Sequence, residues 1–169
     1  MPSGRLENLD PEIIEEMRRR VGITKEQLAV KVGVTPNIVS RWFLGQTSPA
    51  PLRALKLAQA LGVDVLDLTG KTMATADIVD LRQRHGWTTQ NVSEMSDGVL
   101  SKQMLYAIER GHPVPSADKL DLLAKLYDVS DSQIRRSWVN RRIHRFGTES
   151  LAPLTDDERE TLAPWANSK

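Results

Sequence analysis

The chain has 169 residues, 40% hydrophobic and 27% charged, and its 23 Lys+Arg against 22 Asp+Glu leave a net charge of +1. That length suits one compact domain or two small ones, and the balance excludes a binder that works through total positive charge. The absence of cysteine removes disulfides, thiolate zinc sites and thiol catalysis and suits a reducing interior. No apolar run approaches the roughly 20 residues of a membrane span, and the opening MPSGRLENLD lacks a signal-peptide core, so a cytoplasmic protein is expected.

Apolar residues recur at spacings of three and four, which predicts an all-α chain. Asp10-Pro11 supplies a cap and a first-turn proline for a helix with Ile13, Ile14, Met17 and Val21 on one face, stopped at Gly22. Thr24, with Gln27 as capping-box partner, opens a second helix whose inner face is Leu28, Ala29 and Val32 up to Gly33. Thr35-Pro36 opens a third, with Ile38, Val39 and Trp42 inward, ending before Gly45. After Pro49 and Pro51, a fourth helix carries Leu52, Leu55, Leu57, Ala58 and Leu61, and Asp64 caps a short fifth through Leu68.

The same pattern recurs downstream. Leu81-Arg82, Gly86-Trp87-Thr88 and Val92-Ser93 follow Met17-Arg18, Gly22-Ile23-Thr24 and Leu28-Ala29 by 64 residues. From Leu100 onward the offset is 66, so that Ser101, Leu105, Ile108, Gly111 and Pro115 match Thr35, Val39, Trp42, Gly45 and Pro49. The two extra residues fall around Ser96-Asp97-Gly98, where a turn absorbs length cheaply. The expected organisation is residues 1–69 as a first domain, 70–76 as linker, 77–138 as a second, divergent domain, and 139–169 as a basic helix with an amphipathic tail.

Charge is local. No acid occurs from Gln27 to Val63, a stretch holding Lys31, Arg41, Arg53 and Lys56, nor from Gln133 to Thr148, which holds Arg135, Arg136, Arg141, Arg142 and Arg145. In the first stretch, Ala29 permits a close helix crossing and Gly33 supplies a turn residue free to take positive φ. With Val34, Val39 and Trp42 holding the third helix inward, its outer face projects Pro36, Asn37, Ser40 and Arg41. A ridge of that width fits the major groove, where Asn pairs with adenine and Arg with guanine.

The run GITKEQLAVKVGVTPNIVSRWFLG from Gly22 to Gly45, followed by PAPLRALKLAQALGV, resembles the phage-repressor and Cro type of helix-turn-helix domain, also called the xenobiotic-response-element family. The resemblance covers about residues 12–69, and a second copy, with SKQMLYAIERG from Ser101 to Gly111, resembles it over about 77–138. It implies two consecutive five-helix domains and a DNA-binding transcriptional regulator, most simply a repressor. It places Pro36, Asn37, Ser40 and Arg41 at base edges and Thr24, Lys25, Thr35, Gln46 and Thr47 at phosphates. Lys25 departs from the family's usual glutamine. Phe43 stands where many members carry a glutamate paired to an arginine such as Arg18, which leaves Arg18 to find another acceptor or an aromatic ring.

In the second copy Arg82 and Glu109 both occupy the positions of that pair. Its reading face would be Lys102, Gln103, Tyr106 and Ala107, with Ser101 at phosphate; a role in dimerisation or domain docking is the alternative. Arg141 and Arg142 are expected at phosphates, or else their helix is a solvated one whose arginines pair with the acids at 156–160. Thr155-Asp156-Asp157-Glu158 predicts a capping box for a last helix ending with Leu162 and Trp165. Trp42, Trp87, Trp138 and Trp165 read as core or interface aromatics, and His85, His112 and His144 as surface residues without metal-ligand spacing.

No catalytic motif, metal site, cofactor or small-molecule ligand is expected. The expected partner is an operator in double-stranded DNA, with homodimerisation through the second repeat or the tail left open. The rival to DNA binding is a protein-interaction module of antitoxin or coactivator type.

Overall fold

Capping residues and first-turn prolines set where the helices begin. In the computed structural model, which describes residues 4–163, α1 (Pro11–Val21) starts on Asp10, whose carboxylate accepts from the Glu12 and Ile13 amides. α2 (Lys25–Val32) opens with the Thr24–Gln27 capping box, and α3 (Pro36–Phe43) opens on the Thr35 hydroxyl. α4 (Pro51–Leu61) starts at Ala50 with no side-chain cap. The fifth element is a 3-10 turn, Val65–Thr69, capped by Asp64. Gly33 takes φ +77° between α2 and α3, a conformation that an L side chain enters at a cost.

The chain divides into two compact units, one running to Thr72 together with Gln83–Thr88, the other comprising Met73–Arg82 and the chain from Thr89 on. The first unit buries Ile14, Leu28, Ala29, Val39, Trp42, Ala54, Leu57 and Leu68 in one core. Burying each of its large apolar side chains contributes about 1.5–3 kcal/mol. Ile38, expected inward, is half-buried at the margin.

The second unit contains α5 (Ile78–Arg84), whose last two residues are counted with the first unit, α6 (Thr89–Met95), α7 (Lys102–Glu109), α8 (Ala117–Leu126), α9 (Asp131–Phe146) and α10 (Asp156–Leu162), with a 3-10 turn at Thr148–Leu151. Its buried residues include Leu100, Leu105, Ile108, Leu120, Leu123, Ile134 and Trp138. The inserted residues form the α6–α7 turn: Asp97 and Gly98 take φ +52° and +77°, and Ser96 Oγ donates to the Ser93 carbonyl while accepting from the Leu100 amide. α9 is one continuous helix through residue 138, where the sequence pattern predicts a boundary. α10 begins with the predicted Thr155–Glu158 capping box and buries Leu162; Trp165 lies outside the described residues.

Among the described residues there are ten α-helices, two 3-10 turns and no strand, and none of the helices is long and apolar enough to cross a membrane.

Candidate nucleic-acid interface

In α3 the helical period turns Val39, Trp42 and Phe43 into the core and leaves Pro36, Asn37 and Arg41 exposed, with Ser40 half-buried between them. Asn37 and Arg41, one turn apart, share a face. The loop beyond is tied to the helix end: the Gln46 and Thr47 amides donate to the Arg41 carbonyl at 2.9 and 3.4 Å. Thr35 and Gln46 are exposed and Thr47 is half-buried beside them. Five of the expected readers and backbone contacts therefore lie on α3 itself or at its entrance, and two more on the loop that leaves it.

Below Arg41 the first unit has an open recess of about 240 Å³ lined by Arg5, Ile38, Arg41, Trp42, Thr47, Ser48, Pro49, Ala50 and Arg53. Three guanidinium residues and no carboxylate line it, next to the N-terminus of α4, where helical N–H groups favour an anion. The sequence pattern assigns no role to Arg5 or Arg53. Arg53 lies within the acid-free stretch, but Arg5 is held at the recess by distant partners: the Leu6 amide donates to the Pro49 carbonyl at 2.8 Å and Gln83 Nε2 to the Arg5 carbonyl at 2.9 Å, contacts without local signature.

The two departures from the family pattern meet in space. Lys25 Nζ lies over the Phe43 ring at 5.1 Å from its centroid, so a cation on an aromatic face joins α2 to α3. Arg18 finds its acceptors nearby, donating to both Glu15 carboxylate oxygens at 3.0 and 2.7 Å and to the Ile23 carbonyl at 2.7 Å. The Arg18 hydrogen bonds, helped by Arg19 and opposed by desolvation, lower the Glu15 carboxyl from its ordinary 4.5 to about 2. Thr24 is exposed, its hydroxyl accepting from the Gln27 amide.

In α7, Leu105, Ile108 and Glu109 face inward, Lys102 and Gln103 are exposed, and Tyr106 and Ala107 are half-buried. Ser101 caps the helix by accepting from the Met104 amide. Arg82 Nε and Nη2 donate to the two Glu109 oxygens at 2.6 and 3.0 Å, with both side chains no more than 3% exposed. Burial first, then the Glu109 charge, pushes the Tyr127 phenol well above its usual range.

Residues 14–68 and again 78–134 match the family model described as Helix-turn-helix. The chain belongs to this helix-turn-helix family. An uncharacterized HTH-type transcriptional regulator of Methanothermobacter thermautotrophicus (strain Delta H) is 40% identical over 50 residues, which cover 30% of this chain and 72% of that protein. No solved structure matches. The α2–α3 and α6–α7 pairs are thus the helix-turn-helix elements, and α3 and α7 their second helices.

Beyond the second helix-turn-helix match, Arg141 and Arg142 correct a sequence expectation. They are 2% and 7% exposed, and they donate to the Glu109 carbonyl at 2.6 Å and the Gly111 carbonyl at 3.0 Å. Arg141 also meets Asp77 at 3.3 Å, and Arg135 meets Asp121 and the Thr161 carbonyl, both at 2.8 Å. Guanidinium groups committed in this way are not presented to phosphates, and their partners are backbone carbonyls and other acids instead of those at 156–160. Trp42 and Trp138 are core residues; Trp87 is half-buried and stacks on His85 at 4.3 Å. His112 and His144 are exposed, as expected.

Proposed function

We propose that this helix-turn-helix protein binds duplex DNA sequence-specifically in the cytoplasm, regulates transcription, and represses by occupying a site that RNA polymerase needs. The observation that carries the reading is the outer face of α3, where exposed Asn37 and Arg41 stand one turn apart at a recess that Arg41 lines together with Arg5 and Arg53 and no acid. Asn and Arg are the side chains that make bidentate contacts with adenine and guanine, and the arginines below supply phosphate contacts that fix the register. Thr35, Gln46, Thr47, Arg5 and Arg53 take that second role.

α7 adds a second reader through Lys102 and Gln103, with Tyr106 beside them and Ser101 at the helix start. Half-sites facing one chain then lie about 34 Å apart or at multiples of it. A protein-docking role for α7 is the second reading, favoured by the exposed apolar Met95 and Val99 on the approach to that helix.

Selection of bound duplexes from a random pool tests both. Two unlike half-sites are expected, and Arg41→Ala should cost about 1–3 kcal/mol at one base pair and relax selectivity there. Equal affinity of the parent for all duplexes at moderate ionic strength would refute the proposal. A footprint of a single half-site would assign α7 to protein contacts.

A further inference from the structure

The two second helices end differently. The last carbonyls of a helix lack intrahelical donors and need partners from elsewhere. In α3 the following loop provides them: Leu44 N donates to Ser40, Gly45 N to Trp42, and the Gln46 and Thr47 amides to Arg41. At the end of α7, side chains of α9 join the loop amides. Trp138 Nε1 donates to the Ile108 carbonyl at 3.1 Å, Arg141 Nε to Glu109 at 2.6 Å and Arg142 Nη1 to Gly111 at 3.0 Å.

The contact is made at backbone distance. Gly111 takes φ +79°, and a Cβ there would stand 2.9 Å from the Arg142 Cα. At the matching Gly45 of the first unit a Cβ would meet only the Pro11 side chain, at 3.3 Å. α9 is itself tied to the chain beyond it: Arg142 Nε donates to the Ser150 carbonyl at 3.0 Å and Arg135 Nε to Thr161 at 2.8 Å. Within α9 the Arg142 guanidinium lies 5.8 Å from the Trp138 ring centroid.

We infer that Trp138, Arg141 and Arg142 are positioning residues for the reading face of α7, so that the C-terminal helix sets which base pairs the second unit discriminates. The inference rests on the proposal that α7 reads DNA. A helix held at its C-terminal end by three directional donors presents Lys102 and Gln103 along one axis. A small misalignment of such a reader weakens short-range bidentate contacts at particular bases and leaves long-range attraction to phosphate nearly unchanged.

The test is selection from a duplex pool by the full chain, with Trp138→Phe, Arg142→Gln, Gln103→Ala and Asn37→Ala compared with the parent. Trp138→Phe keeps an aromatic ring and removes the N–H donor, so it decides the matter if Arg142→Gln fails to fold. Gln103→Ala marks the base pairs read by α7, and Asn37→Ala marks those read by α3. The expected result is a loss of about five- to tenfold in discrimination for the α9 variants. That loss should fall at the Gln103 positions alone, with no further loss when Gln103→Ala is combined with Trp138→Phe. Retained selectivity in the α9 variants, or a uniform weakening for all sequences, while Gln103→Ala does relax its positions, overturns the inference and leaves DNA reading by α7 intact. If Gln103→Ala itself changes nothing, α7 does not read bases, and both statements fall.

Discussion

Arg18 and Arg41 are both arginines on short helices of the first unit, yet their surroundings give them opposite tasks. Arg18 is spent on Glu15 and the Ile23 carbonyl, while Arg41 is exposed beside Asn37. The Glu15 interaction has a pH signature. Its carboxyl titrates at about 2 in the folded chain against an ordinary 4.5, so the stabilisation is complete above pH 4.5, where folded and unfolded chains are both ionised. Between those values the unfolded chain takes up a proton that the folded chain refuses, and the contribution disappears as pH falls to about 2. Glu15→Gln should therefore be less stable than the parent near neutrality, with the gap closing across that window. Urea unfolding of the two proteins over a pH series measures it, and a gap independent of pH would contradict the assignment.

Among the helices, the contrast between the units lies in what holds the third helix of each. In the second unit the buried Arg82–Glu109 pair does this, whereas in the first Phe43 is buried and Lys25 covers it. Removing one member of a buried ion pair strands the other, so Glu109→Ala should destabilise the second unit by about 3–5 kcal/mol, and replacing both with apolar residues of similar volume should recover most of that loss. Thermal unfolding of the single and double variants checks the order. Much of this architecture is legible in the residues alone. Asp10, Thr24 and Thr35 act on amides two or three residues away, so their helix starts are written locally, and the Val39–Trp42 spacing already puts Asn37 and Arg41 outward. The fate of Arg141 and Arg142 is not legible in that way. An arginine run without acids looks electropositive, and a carbonyl partner about thirty residues upstream leaves no trace in residue types. Arg5 escapes notice for the same reason, since hydrogen bonds to residues far along the chain, Leu6 to Pro49 and Gln83 to Arg5, hold it at the recess.

For the molecule as a whole, a net charge of +1 means that affinity for DNA depends on where the cations stand, and the salt dependence of binding reads this directly. Each phosphate neutralised contributes about 0.9 to the log–log slope. Arg53→Ala should flatten that slope by about 0.9, and Arg142→Gln, whose guanidinium is already enclosed, should leave it unchanged. Titration of a labelled duplex over a range of salt concentrations distinguishes the two. If α7 reads DNA as proposed, the second reader searches, once the first has bound, at an effective concentration of millimolar order.

The continuity of α9 has a practical side. The second family match stops at residue 134, four residues into a sixteen-residue helix. A gene shortened to the recognisable pattern would discard Trp138, Arg141 and Arg142, remove the buried indole from the core and strip Asp77 of the buried guanidinium beside it. Anyone excising that module should carry the coding sequence through Leu162, or expect an insoluble product.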